Sequence, residues 1–263
     1  MKILVVADTQ DRCLYEHYSA ERWAREEIAL IISCGDLDAA YLDFLRSAFN
    51  VPLYYVRGNH DLRYDEASLG GAEPLHRRLV VSHGIRLFGL DGSMRYSGGP
   101  AQYTETQMAW FAWWAQWPIR RAGGVDLIVA HSPPRFCPRP LEHCCNFMSR
   151  LAADATTRGA GTTLQPLYGQ PCPLDPARRC WDASDLCHRG FGALQRMILR
   201  WQPAYFVHGH THLGYGMRPR ELRMGKTRVV DAYGYYILRW PPLLEPAPHA
   251  DDAERCTPAL QGR

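Results

Sequence analysis

The chain alternates short apolar runs with longer amphipathic stretches, and most of the apolar runs end at a polar residue. The runs are rich in valine, isoleucine and leucine at successive positions, a pattern that is typical of strands buried on both faces. The sequence therefore predicts strands over 2–7, 28–33, 51–56, 125–130 and 204–207.

The stretches between these runs carry helical patterns, which predict helices over 14–27, 38–48, 104–117 and 190–201. Alternation of strand and helix indicates a largely parallel sheet with right-handed crossovers. A second group of strand-like runs has no helices between its members. It predicts a second, more antiparallel sheet packed on the first, from the runs 78–82, 85–90, 213–216, 220–224 and 227–238.

The 263 residues suffice for one large domain with a proper core, which we expect over 1–239. An insertion over about 135–185 is rich in proline, glycine and cysteine. Loops of this length are usually lids or disordered segments, so the insertion is a candidate for setting substrate choice. The tail over 240–263 is proline-rich and loses periodicity, and we expect it to be extended or disordered.

Composition and charge exclude several classes of protein. The net charge of +3 is too weak to indicate a nucleic-acid partner, and no basic stripe interleaved with aromatic residues is present. No apolar run reaches the roughly 18 residues of a membrane span. The apolar N-terminus meets Asp8 too early for a signal peptide, which favours the cytoplasm. In that reducing compartment we expect most of the nine cysteines to be free thiols.

The residues that follow the predicted strands carry the candidate chemistry, because ligands collect beyond the carboxyl ends of strands in open α/β sheets. Carboxylate, amide and imidazole groups suit Mn, Fe or Zn. A two-metal site needs a carboxylate that bridges both ions, and Asp36 is the natural candidate. Each residue alone has an ordinary explanation, such as a helix cap, a tight turn or a buried histidine. Their joint occurrence favours a metal site of Asp8, Asp36, Asn59, His131, His210 and His212.

These positions resemble the signature of the calcineurin-like metallophosphoesterase family. That signature runs D-x-H, G-D, G-N-H-[DE], H and G-H-x-H, and this chain has its counterparts at 8–10, 35–36, 58–61, 131 and 209–212. The resemblance implies an α/β fold, a two-sheet β-sandwich flanked by helices in four α/β/β/α layers. It also implies two metal ions, one held by Asp8, Asp36 and His212, and the other by Asp36, Asn59, His131 and His210.

By the same resemblance, a metal-bridging hydroxide attacks a phosphoester. His60 would protonate or stabilise the leaving group, oriented by Asp61. Arg57 could clamp a phosphate oxygen, as in the similar serine/threonine phosphatases, or be a solvated arginine. His188 is a further candidate for substrate binding, with a helix-capping residue in solvent as the alternative. We expect a phosphorylated small molecule or nucleotide as substrate, with a phosphodiester slightly favoured over a monoester.

Gln10 departs from the family pattern, which has histidine at this position. An amide oxygen is a weaker ligand than imidazole, so Gln10 could ligate weakly, be replaced by water, or leave one metal loosely held. We expect a dinuclear site with one weaker half. The alternative function is a catalytically weak or dead copy of the fold that serves as a protein-interaction module. Such copies typically lose the catalytic histidine or several ligands, whereas this chain keeps His60 and six ligands.

Overall fold

The computed structural model describes residues 1–61, 69, 71–136, 171–172, 175–179, 188–212 and 220–242. Its first main sheet consists of β1 (Lys2–Ala7), β2 (Ile28–Ser33), β3 (Leu53–Tyr55), β4 (Glu73–Pro74) and β15 (Gly234–Arg239). The spatial order is β15-β1-β2-β3-β4. Strands β1 to β4 are parallel, and β15 pairs with β1 in the antiparallel sense.

The second main sheet has six strands. They are β5 (Leu79–Ser82), β6 (Ile85–Leu90), β9 (Leu127–Ala130), β12 (Tyr205–His208), β13 (Glu221–Met224) and β14 (Thr227–Asp231), in the order β13-β14-β12-β9-β6-β5. The four inner strands are parallel and the two edge strands are antiparallel. Two short pairs are β7 (Ser93–Met94) with β8 (Gln102–Tyr103), and β10 (Pro171–Cys172) with β11 (Asp175–Arg179).

The partition of strands between the sheets differs from the sequence-based prediction. The strands predicted over 125–130 and 204–207 join the second sheet, not the first, and the run 227–238 divides between β14 and β15. The reason is that an apolar run indicates a strand buried on both faces, but does not show which other strand is hydrogen-bonded to it. The predicted run 213–216 lies outside the described residues.

Five helices are described: α1 (Ala20–Ala24), α2 (Ala39–Phe49), α3 (Glu105–Trp114), α4 (Gln116–Arg121) and α5 (Gly192–Trp201). The prediction of one helix over 14–27 is wrong, because only five of those residues are helical. Ser19 starts the helix late: its hydroxyl accepts the Arg22 N–H at 3.4 Å. A serine in that role is a strong N-cap and marks a boundary that the apolar pattern does not show.

Three hydrophobic clusters define the layers. One lies between the sheets and joins Val5 and Ile32 to Val129 and Val207. A second packs the first sheet against α1 and α2, and a third packs the second sheet against α3, α4 and α5. The order is therefore helix, sheet, sheet, helix, which confirms the predicted fold class.

The predicted insertion contributes only β10, β11 and its first residues to the described part of the chain, and the tail is described only to residue 242. Cys34 is a free, buried thiol as expected. Cys13 is disulfide-bonded, so the expected free thiols do not include it. The expectation rested on the compartment, whereas pairing depends on an approach of Cα atoms that cysteine spacing does not reveal. Among the described residues, no helix combines the length and apolar composition that a membrane crossing requires.

Candidate metal centre

Strand ends from both sheets meet at one edge of the sandwich. The Asp8 N–H, after β1, donates to the Gly35 carbonyl after β2 at 3.1 Å. The His210 N–H, after β12, donates to both carboxylate oxygens of Asp8 at 3.0 and 2.9 Å. The Gly209 N–H donates to the carbonyl of His131, after β9, at 3.0 Å. The first and last of these bonds lie within one sheet each, whereas the bonds between His210 and Asp8 join strand ends that belong to different sheets.

Four of the predicted ligands lie around one point at this edge. The Nε2 atom of His131 is 3.1 Å from Asn59 Oδ1, 3.1 Å from His210 Nδ1 and 3.3 Å from Asp36 Oδ2. The ligand atoms of Asp36, His131 and His210 all lie within 4.8 Å of one another. Two oxygens and two nitrogens therefore converge, and His131 and His210 are buried.

A hydrogen bond to the backbone fixes the tautomer of His131. Its Nδ1 lies 2.8 Å from the Cys34 carbonyl, which can only accept, so Nδ1 carries the hydrogen. When the ring is neutral, its Nε2 lone pair faces the cluster. An imidazole oriented by a second hydrogen bond is the usual arrangement for a metal-ligating histidine.

The backbone of Gly58 passes so close to the cluster that no side chain fits. A Cβ atom there would lie 2.0 Å from Asp36 Oδ1 and 2.7 Å from His131 Cε1. Gly35 has φ +99°, and a Cβ there would lie 2.3 Å from the Gly58 nitrogen. The two glycines let the turns after β2 and β3 lie against each other, as the G-D and G-N-H segments require.

The electrostatics of the cluster favour a cation. Burial would raise the pKa of Asp36, but contact with His131 and the charge on that ring lower it. Burial would lower the pKa of His131, but Asp36 and Asp8 raise it to about 9. Burial raises the pKa of Asp8 to about 7. Carboxylates that hold a proton on a buried imidazole create a site where positive charge is favoured.

The residues present fit a metal ion. Asp36 Oδ2 is buried and, within the described residues, has no hydrogen-bond partner, since its 3.3 Å contact with His131 lacks hydrogen-bond geometry. Such an atom is costly unless a cation or water satisfies it. Ligand atoms about 2.1 Å from one ion lie roughly 3.0–3.4 Å apart when adjacent. The observed separations of 3.1 to 3.3 Å agree with that spacing.

Comparison with known proteins shows the family. A model of the calcineurin-like phosphoesterase family matches residues 1–214, which is most of the chain. The chain belongs to the calcineurin-like phosphoesterase family. The predicted resemblance is thereby confirmed. No curated protein matches the sequence.

Solved structures share the fold of this calcineurin-like phosphoesterase. TT1561 of Thermus thermophilus gives a TM-score of 0.54 at 15% identity, covering 90% of this chain and 93% of that chain. A second crystal structure gives 0.53 at 13% identity, covering 90% and 94%. The Thermus thermophilus sulfate thiohydrolase SoxB in complex with glycerol gives 0.34 at 14% identity, covering 81% and 35%, which supports no inference. At these identities the first two likenesses show the fold alone.

The residues predicted for the other metal of this phosphoesterase are arranged less tightly. Asp8 faces the backbone of His210, and His212 is exposed, with its ring 5.7 Å from that of Tyr233. Gln10 donates its amide hydrogen to Asp38 Oδ2 at 2.6 Å. The group of Asp36, His131 and His210 includes neither Asp8 nor His212. The expectation of one weaker half therefore stays a prediction.

The G-N-H-D segment lies beside the cluster. The His60 N–H donates to Asp36 Oδ1 at 2.8 Å, and the His60 side chain is exposed. Asp61 Oδ2 accepts the N–H groups of Asp36 and Gly58, both at 2.7 Å. Sequence reasoning gave Asp61 the role of orienting His60. The structure gives its carboxylate the additional role of holding together the backbones of the turns after β2 and β3.

Both predicted substrate-binding residues lie near the cluster. The His188 ring is 4.9 Å from the His210 ring and 5.7 Å from the His212 ring. Arg57 is half-buried, and its backbone N–H donates to Asp91 Oδ1 at 2.9 Å. Its charge acts on Asp91, whose pKa burial nonetheless raises to about 7. His188 is thus adjacent to predicted ligands, and the backbone of Arg57 is anchored to the segment after β6.

Sequence reasoning missed Tyr96, whose hydroxyl lies 3.2 Å from Asn59 Nδ2. It follows β6 and β7, and β6 is another strand whose carboxyl end reaches this edge, next to β9. The strand over 85–90 was predicted, so the residues after it could have been searched as the others were. No motif includes Tyr96, because tyrosine is not a typical ligand for these metals.

Proposed function

We propose that the chain is a metal-dependent phosphoesterase that hydrolyses a phosphoester, with a phosphodiester slightly favoured over a monoester. The observation that carries the proposal is the convergence of Asp36, Asn59 and His210 on His131 Nε2, at 3.1 to 3.3 Å, with Asp36 Oδ2 lacking a hydrogen-bond partner among the described residues. Membership of the calcineurin-like phosphoesterase family supports the same reaction.

One metal ion would be held by Asp36, Asn59, His131 and His210, and a second by Asp8, Asp36 and His212, with Gln10 as a weak ligand. The donor set of carboxylate, amide and imidazole suits Mn, Fe or Zn. Such ions lower the pKa of bound water and neutralise phosphoryl oxygens, which is the chemistry that ester hydrolysis requires.

The chain's own residues would bind the ester and supply a proton. His60 is exposed beside Asp36, and its protonated imidazole would donate to the leaving oxygen of an ester held at the cluster. Asp61 keeps that turn in place through its two backbone hydrogen bonds. Arg57 and His188 would bind phosphoryl oxygens.

The preference for a diester follows from charge. A diester carries one negative charge, whereas a monoester carries about 1.5 to 2 near neutral pH. Only one of the two metal positions has closely grouped ligands among the described residues. A site with one well-formed cation position neutralises the single charge of a diester more completely.

The test is hydrolysis of bis-p-nitrophenyl phosphate and of p-nitrophenyl phosphate by protein supplemented with Mn, Fe or Zn. We expect turnover of both, with the larger kcat/KM for the diester. His60→Ala should lower kcat about 10²- to 10⁴-fold and leave the metal content unchanged, since His60 acts as the acid. His17→Ala, an exposed histidine in a turn outside these segments, is the matched control and should keep full activity.

Metal binding without turnover of either ester would refute the enzyme and support the alternative, a protein-interaction module. Loss of metal in His60→Ala would show that this histidine is a ligand and not an acid. Faster turnover of the monoester would reverse the substrate preference while leaving the reaction class intact.

A further inference from the structure

Tyr96 is a polar side chain that contacts a predicted metal ligand and also faces solvent. Its hydroxyl lies 3.2 Å from Asn59 Nδ2, and 44% of its surface is exposed. The contact is between side chains that are 37 residues apart in the chain, in loops that follow different strands. Tyr96 therefore lies between the cluster of predicted ligands and the solvent-exposed side of the site.

The hydrogen bonds of Asn59 determine what the Tyr96 hydroxyl can do. Asn59 Oδ1 faces the cluster, 3.1 Å from His131 Nε2, and would be the atom that binds a cation. Its Nδ2 must then donate, and the acceptor is the Tyr96 oxygen. A hydroxyl that accepts from Asn59 cannot direct its own hydrogen to the same group. That hydrogen is available on the exposed side.

The loop that carries Tyr96 is held in one conformation. Oε1 of the buried Gln102 accepts the backbone N–H groups of Tyr96, Ser97 and Gly98 at 3.2, 3.0 and 3.1 Å. Nε2 of the same side chain donates to Ser97 Oγ at 3.0 Å. A single amide thus anchors three successive residues to β8. The Tyr96 hydroxyl is preorganised and loses little freedom when it binds a ligand.

We propose that Tyr96 is a substrate-binding residue of this site, and that its hydroxyl donates a hydrogen bond to a phosphoryl oxygen while it accepts one from Asn59. The inference rests on the proposed function, because it places the phosphoryl group at the metal cluster. It adds a neutral donor to the proposed phosphate-binding residues Arg57 and His188. A hydrogen bond to a charged oxygen is worth about a tenfold to hundredfold change in affinity.

The substitution that tests this role is Tyr96→Phe, which keeps the ring and removes the hydroxyl. Water can take the Asn59 hydrogen bond at this exposed position, so the metal content should not change. Tyr15→Phe is the matched control: Tyr15 is 43% exposed and packs against Tyr41 and Phe44 on the far side of the first sheet.

Two ligands separate this inference from the proposed function. Inorganic phosphate is titrated calorimetrically into the manganese-loaded protein, and bis-p-nitrophenyl phosphate is followed by steady-state kinetics. Tyr96→Phe should weaken phosphate binding and lower kcat/KM, each about tenfold to a hundredfold, with unchanged manganese content and melting temperature. Tyr15→Phe should stay within about twofold of the wild type in all four measurements.

Phosphate binding within about twofold of the wild type in Tyr96→Phe would overturn the assignment, and so would a loss of manganese, which would make Tyr96 only a support for Asn59. If the wild type binds phosphate but hydrolyses neither ester, the proposed function fails and the phosphate titration still decides the role of Tyr96. A wild type that neither binds phosphate nor hydrolyses an ester overturns both.

Discussion

Three predicted metal ligands have a left-handed backbone, which non-glycine residues seldom adopt. The φ angles are 64° for Asp8, 56° for Asp36 and 68° for His210. Each such residue costs of the order of 1 kcal/mol. The surrounding hydrogen bonds hold them there: Asp61 binds the Asp36 N–H, and Asp8 binds the His210 N–H. Backbone strain at three neighbouring residues is typical of a functional site.

The close passage of Gly58 yields a sharp test of the cluster. In Gly58→Ala the new methyl group would meet Asp36 Oδ1 at 2.0 Å, and the carboxylate would have to move away from His131 and Asn59. We expect manganese affinity to fall at least about tenfold and stability to fall by roughly 1–3 kcal/mol. A metal titration and chemical denaturation of the same preparation measure the two effects.

Gly84→Ala is the control for a loss of stability that leaves the predicted ligands in place. Gly84 has φ +77° and nothing within 4 Å of its added Cβ, so the variant is strained but not crowded. It should lose roughly 1 kcal/mol and bind manganese as the wild type does. Unchanged manganese affinity in Gly58→Ala would mean that Asp36 is not a ligand.

The proximity of Asp36, Asn59, His131 and His210 could be predicted because these residues follow apolar runs, whose carboxyl ends meet at one edge of the fold. Tyr96 also follows a predicted strand, but its contact with Asn59 is made across a loop and is not visible in the sequence. The backbone role of Asp61 is likewise invisible in the sequence. Hydrogen bonds between the turns after β2 and β3 depend on how these turns approach each other.

Among the described helices, α3 has the most complete N-terminal capping. Thr104 Oγ1 accepts the Gln107 N–H at 3.2 Å, and Gln107 Oε1 accepts the Thr104 N–H at 2.9 Å, which is a capping box. The next residue, Glu105, accepts the Gly192 N–H at 3.0 Å and so ties α3 to the first turn of α5. This segment therefore stabilises both the N-terminus of α3 and the contact of α3 with α5.

Thr104→Ala removes the threonine hydroxyl from this capping box. The Gln107 N–H loses its partner, so the free energy of unfolding should fall by about 1 kcal/mol. The measurement is the urea midpoint at an unchanged m-value. Thr106→Ala, an exposed position in the same helical turn, should change stability by less than about 0.5 kcal/mol. Equal effects of the two substitutions would contradict the capping role.

The elements themselves were largely predictable, but their assembly was not. The bounds of β1 and β2 agree with the apolar runs that predicted them. Helix α2 is shifted by one residue at each end, and α5 begins two residues late and ends as predicted. The division of parallel strands between two sheets was missed, because β9 and β12 have the same buried composition as β1 and β2. Pairing is decided by packing across the whole sandwich.

For the molecule as a whole, buried carboxyl groups make stability depend on pH. Burial raises the pKa of Asp91 to about 7 from an ordinary value of 3.8, although Arg57 opposes the shift. The folded protein then keeps a proton that the unfolded chain loses at lower pH. The stabilising contribution is fully present below about pH 4 and is lost as the pH rises through about 7.

Asp91→Asn replaces this group with a neutral amide that can still accept the Arg57 N–H. Between about pH 5 and pH 8 the wild type should lose roughly 2–3 kcal/mol relative to the variant. Denaturation is measured with a chelator present, so that metal binding does not contribute. Asp8 titrates in both proteins and cancels in the comparison. A difference that is constant with pH would show that Asp91 is ionised throughout this range.

The first sheet closes by pairing two strands from opposite ends of the domain. Lys2 lies opposite Arg239 and Ala7 opposite Gly234, and Asp8 binds a backbone 202 residues away. During synthesis on the ribosome, β1 emerges long before β15 can cover it. One edge of an apolar strand is then open to other chains until translation has passed residue 239. The side chains of Asp36, Asn59, His131 and His210 likewise come together only after residue 210 has been synthesised.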